Sequence, residues 1–156
     1  MTTITLQFAG TPVEVPLRQT LSKSLLREAE PHLTELRNVG VNKAYERAIA
    51  ENPHAMKNLA EHIKANAGES LNPQEMAGDF LFEAYPAIYA AMQSPETHID
   101  LTNDVAVTAM CKLVDVLLDK SQLNEVQKST LAMDTFWDDQ DLEGCRAAVT
   151  WFRSRL

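Results

Sequence analysis

The spacing of apolar residues changes once, near residue 19, and no other feature constrains the fold as much. Before that point Ile4, Leu6 and Phe8 alternate with Thr5 and Gln7, and Val13, Val15 and Leu17 alternate with Glu14 and Pro16. Period-two alternation on both sides of the Ala-Gly-Thr-Pro stretch signals a β-hairpin with one apolar face. Pro16 has no N–H to donate, so the second strand should lie at an edge or end there. A lone hairpin is marginal in water, so its apolar face must lie on helices, or the hairpin must pair with something else.

From Thr20 onward the spacing is helical. Leu21, Leu25, Leu26 and Ala29 share one face of a short helix, and Pro31 suits the first turn of the next, which carries Leu33 and Leu36. Asn38 to Gly40 marks an end or a kink before VNKAYERAIA resumes the pattern. Asn52 followed by Pro53 starts a helix with the stripe Met56, Leu59, Ala60 and Ile63, stopping at Gly68. Asn72, Pro73 and Glu75 start another, which Pro86 should kink or break. The stretch SPETHIDLTND is a loop. Residues 104–120 are apolar over most of a helical circumference, with Asp104, Thr108, Lys112, Asp115 and Asp119 as a single polar stripe, the pattern of a central helix. Two more helices follow, one over residues 122–136 and one from residue 141 onward, the latter lined by Leu142, Cys145, Val149, Phe152 and Leu156. The expected fold is mainly α. It has an N-terminal β-hairpin over residues 1–18, then a compact bundle of about six or seven helices over residues 20–156, with no domain boundary.

Composition supports a packed core and narrows the partners. The 156 residues are 45% apolar and 23% charged, ordinary for a globular chain. A formal net charge of −8 argues against direct nucleic-acid binding and against an anionic membrane surface, and suits a protein partner with a basic surface. The N-terminus lacks a basic segment followed by an apolar run, and no apolar stretch is long enough to cross a bilayer, so a soluble cytoplasmic protein is expected. Cys111 and Cys145 match no metal or redox spacing and fall at apolar helical positions. Two buried reduced thiols are expected, with a single disulfide as the alternative.

The acidic stretch FWDDQDLEGC raises the question of a metal. From Asp139 it opens like a calcium-binding EF-hand loop, with oxygen donors at Asp139, Asp141 and Glu143 and a glycine at Gly144. Position twelve of that loop falls on Thr150, which cannot supply two carboxylate oxygens, and Cys145 to Phe152 read as helix. Asp138, Asp139, Asp141 and Glu143 fit better as negative charge at a helix start. No metal or cofactor is expected. His54 and His62 stand too far apart on a straight helix to share one zinc, and the histidines His32, His54, His62 and His98 read as solvated or capping. His98 and Asp100 could support acid–base chemistry, but no nucleophile or oxyanion site accompanies them. No GxSxG, phosphate loop or dinucleotide fingerprint occurs, so no catalytic residue is assigned.

Exposable aromatics point to binding. In FLFEAYPAIYAAM, Phe80, Leu81, Ala84 and Ile88 can face a core while Phe82, Tyr85, Tyr89 and Met92 form a neighbouring stripe. Exposed aromatics and Met mark interaction surfaces, although a wide buried face around Pro86 would use the same residues. Trp137, Trp151 and Arg153 pose the same choice near the C-terminus. The candidates for partner contact are therefore Phe82, Tyr85, Tyr89, Met92, Asp138, Asp139, Asp141, Trp151 and Arg153.

The layout, TITLQFAGTPVEVPL leading into an acidic helical body that closes on WDDQDLEGCRAAVTWFRSRL, resembles small tail-assembly chaperones of tailed phages. The resemblance covers the general plan and the last twenty residues and transfers no functional residue. It implies a protein without an active site that binds a tape-measure or tube protein during assembly. An acidic phage-encoded inhibitor of a host defence complex would share the plan. The reading favoured on these grounds is a non-enzymatic protein-binding module. The alternatives are a small helical enzyme or metal-dependent protein using His98, Asp100 and the carboxylates, and a self-assembling homo-oligomer.

Overall fold

The computed structural model describes residues 2–51 and 99–156. The chain divides into two compact units, Met1–Leu36 with Ile99–Leu156, and Arg37–His98. The readings made on residues 52–98 lie outside the described residues. These include the helix starts at Asn52 and Asn72, part of the helix count, His54, His62 and His98, and the stripe Phe82, Tyr85, Tyr89 and Met92.

The hairpin forms as the alternation requires. Strands β1 (Thr3–Phe8) and β2 (Thr11–Pro16) pair antiparallel, with Ile4 opposite Val15 and Leu6 opposite Val13. Ala9 and Gly10 join them at φ 53° and 82°, and two successive positive φ values give the two-residue turn whose twist matches the strands. Ile4, Leu6, Phe8, Val15 and Leu17 are buried, while Thr3, Thr5 and Glu14 are exposed.

The register also explains the prolines. The Gln7 N–H and C=O both bond to the side chain of Gln140, so they point away from β2, and Gln7 and Pro12 form a non-hydrogen-bonded pair. Alternation then places Pro12, Glu14 and Pro16 at the outward positions of β2. Both prolines therefore sit where no ladder N–H is needed. The Pro16 carbonyl accepts from the Asp119 N–H at 2.8 Å, and the Arg18 N–H donates to the Leu117 carbonyl at 2.9 Å. The hairpin thus pairs with residues 117–119 as well as lying on helices, so both routes to stabilising it are in use.

Helix α1 (Lys23–Glu51) begins at Ser22, whose Oγ accepts the Leu25 N–H at 3.2 Å. It corrects the expected breaks, because it runs uninterrupted through Pro31 and through Asn38–Gly40. Leu25, Ala29, Leu33 and Leu36 are buried at helical spacing on both sides of an exposed Pro31. Proline within a helix costs about 3 kcal/mol. Burying each leucine returns about 1.5–3 kcal/mol, so the continuous stripe outweighs the local penalty.

Helix α2 (Asp104–Leu117) is capped by Asn103, which accepts the Ala106 N–H at 3.0 Å, and it buries eight residues including Met110, Leu113 and Val114. It is the most buried helix of its unit among the described residues, as its narrow polar stripe predicts. It packs on α4 (Leu142–Arg153) through the latter's Cys145, Ala148, Val149 and Phe152.

The single helix expected over residues 122–136 does not form. A short 3-10 turn, Lys120–Gln122, precedes α3 (Glu125–Leu131), and a 3-10 stretch, Asp134–Asp139, follows it. Asn124 and Gln127 make a reciprocal capping box that fixes the start of α3. Met133 is extended and breaks the helix. On one continuous helix Leu131 and Phe136 would point about 140° apart. The break lets both be buried, with Phe136 reaching Phe8 at 5.1 Å between ring centroids. The described residues are thus mainly helical, with four α-helices behind the hairpin. No helix among them is long and apolar enough to cross a membrane.

Candidate functional site

The acidic stretch separates into three environments because Gln140 turns inward. Gln140 is 8% exposed. Its Oε1 accepts the Gln7 N–H at 2.7 Å, and its Nε2 donates to the carbonyls of Gln7 and Phe136, each at 2.9 Å. The side-chain amide thereby pairs with the edge of β1 as a strand residue would. On one side of it Asp139 lines a recess of about 360 Å³ beside the hairpin turn. On the other, Asp141 caps α4 by accepting the Glu143 N–H at 3.1 Å. Gly144 leaves room for that carboxylate, since a Cβ there would stand 3.1 Å from Asp141 Oδ2. The helix-start reading accounts for both the acid and the glycine. Residues 142–153 are helix, so the second half of a calcium loop does not form.

Asp138 faces a larger feature, a cleft of about 890 Å³. Helix α2 contributes Val107, Cys111 and Val116 to it, α1 contributes Glu28 and His32, and the stretch from Leu131 to Asp138 forms another side. The buried Cys111, Val116 and Leu131 form its base. Trp137, half-buried and edge-on to Phe136 at 5.2 Å between ring centroids, and Met133, 57% exposed, add apolar surface to the lining. Among the described residues the cleft's carboxylates are Glu28, Asp104, Asp115, Asp134 and Asp138, against the cation of Lys112 and the imidazole of His32. Asp115 is partly neutralised by Lys120 at 3.0 Å.

Both thiols are free and buried. Burial, and then the Asp138 carboxylate, push the Cys111 thiol up to about 11. Burial, then Cys111 and Asp141, push Cys145 up to about 12. A thiol held protonated at neutral pH is a poor nucleophile, so Cys111 contributes apolar surface to the cleft rather than reactivity.

The remaining candidates lie elsewhere. The Trp151 ring is half-buried under the Arg155 guanidinium, 4.5 Å from its centroid, and its buried Nε1 lacks a hydrogen-bond acceptor. Arg153 is half-buried and already engaged. Neither lines the cleft. Asp100 accepts the Thr102 N–H at 2.9 Å and its hydroxyl at 2.6 Å, the bonding of a turn. Sequence reasoning missed Glu28, Met133 and Asp134 as site residues. The polar stripe of α2 was the available signal, because Asp104, Thr108, Lys112 and Asp115 all line the cleft.

Compared with known proteins, the chain matches no family model, no curated protein and no solved structure.

Proposed function

We propose that the chain is a non-enzymatic protein-binding module that acts in the cytoplasm as an assembly chaperone of the kind found in tailed phages. The observation that supports it best is the α2 cleft, whose lining combines the apolar side chains of Met133 and Trp137 with charged groups that are predominantly acidic among the described residues. Aromatic and Met side chains in an open concavity are what protein interfaces use as anchors. A protonated Cys111 makes the cleft better suited to holding a partner than to attacking one. The hairpin offers a poorer docking edge. Pro12 and Pro16 remove N–H groups from the outer side of β2, and Gln140 fills the edge of β1 at Gln7.

A tagged pull-down from the native or infected host, read by mass spectrometry, tests this reading. One stoichiometric protein partner is expected with the wild type, and its recovery should fall about tenfold with Trp137→Ala, the loss typical of an interface anchor. A preparation that carries no partner would count against the binding-module reading.

A further inference from the structure

We infer that the α2 cleft receives one amphipathic helix of the partner, with Lys and Arg flanking its apolar stripe. This deepens the proposed binding function and rests on it. Charge and backbone chemistry select the occupant. Met133 and Trp137 bring exposed and half-buried apolar surface to the lining, which also carries the carboxylates Asp134, Asp138, Glu28 and Asp104. A helix presents an apolar stripe and its flanking positions toward the same surface, so cations beside the stripe can reach those carboxylates. A strand that inserted its apolar side chains would send its alternate, charged ones away from the rim. A strand also needs backbone partners. The cleft is lined mostly by helical segments and by no strand among the described residues, whereas a helix satisfies its own main-chain groups.

The test uses the full chain and three fluorescein-labelled peptides of about fifteen residues, long enough for several helical turns. One carries Leu at helical spacing with Lys on the flanks. The second has the same composition at period-two spacing, and the third replaces Lys by Glu. Fluorescence anisotropy should show the helical Leu/Lys peptide binding at least about tenfold more tightly than either control, a difference of about 1.4 kcal/mol. Asp134→Lys with Asp138→Lys, both at exposed positions, should weaken it by about tenfold or more, and Met133→Asp should do the same. Unchanged far-ultraviolet circular dichroism and melting would show that these variants fold.

Equal binding by the period-two peptide, or undiminished binding by the charge-reversed variant, would overturn the inference. If the wild type captures a partner from the host yet does not bind the helical peptide, the helix assignment fails while the binding-module reading stands. A dimer by light scattering that Met133→Asp converts to monomer, with no peptide binding, would assign the cleft to a second copy of the chain.

Discussion

The hairpin with α2 and α4, and the stretch from Asn124 to Gln140, belong to one packed unit but are held by different forces. In the first, burial dominates. Leu6, Val15, Met110, Val114, Val149 and Phe152 are each at most 2% exposed, and their spacing follows the strands and helices. In the second, regular structure never exceeds the two turns of α3, and individual polar side chains fix the path. Asn124 and Gln127 start the helix, Gln140 ties its far end to β1, and Asp141 starts α4. One region depends on buried volume. The other has little buried volume and depends on a few hydrogen bonds.

The largest expected effect tests the first half of that contrast. Phe152 is 2% exposed on the face of α4 that meets α2. Phe152→Ala should lose about 3–5 kcal/mol, the usual cost of removing a buried aromatic ring and leaving a cavity. Urea unfolding followed by tryptophan fluorescence would measure it. A loss below about 1 kcal/mol would mean that the site collapses readily, and the claim of a tightly packed first region would fail.

Next in size is Gln140→Ala. It removes three hydrogen bonds and leaves the Gln7 N–H and the Phe136 carbonyl in a part-buried place with no side-chain partner. The expected cost is about 1–3 kcal/mol, from desolvated groups left unpaired. Hydrogen exchange sharpens the prediction. The Gln7 amide should exchange faster, while the Leu6 amide, which faces β2, should keep its protection as long as the hairpin persists. Uniform loss across β1 would show that Gln140 holds the whole hairpin in place rather than one edge position.

The same contrast decides what could be read from the sequence. The hairpin, α2 and α4 were legible because burial writes a period of two or 3.6 into the chain. Pro31 reads locally as a helix start, but the stripe Leu25, Ala29, Leu33 and Leu36 crosses it and outweighs that local propensity. The region 122–136 misled because the inward turn of Phe136 toward Phe8, a contact between residues far apart in sequence, overrides local periodicity. The candidate site was half legible. Asp138 and the α2 stripe were visible as acid and as a wet face. That the wet face lines a cleft with Glu28 and Asp134 depends on how separate elements pack, which no local pattern records. Gln140 carries no sequence signal at all, since its partners are the main chain of Gln7 and Phe136.

The smallest effect lies where the two regions meet, and it is confined to alkaline pH. Cys111 of α2 is pushed from 9.0 to about 11, first by burial and then by Asp138. Cys145 of α4 rises from 9.0 to about 12, by burial, then Cys111 and Asp141. Each thiol is harder to ionise folded than unfolded, so the folded state binds more protons above pH 9. The stability contributed by the protonated thiols is complete below pH 9 and is lost as pH rises through 11 and 12. Urea midpoints measured from pH 7 to 11 should therefore fall more steeply for the wild type than for the Cys111→Ala, Cys145→Ala double variant, whose absolute stability will be lower throughout. Asp138→Asn should shallow the wild-type fall slightly, because it removes only the lesser cause acting on Cys111. Parallel slopes for wild type and double variant would mean that the thiols ionise as easily folded as unfolded. The α2–α4 seam would then be wetter than its packing implies, and the division between a dry, volume-held region and a polar, bond-held one would lose its sharpest boundary.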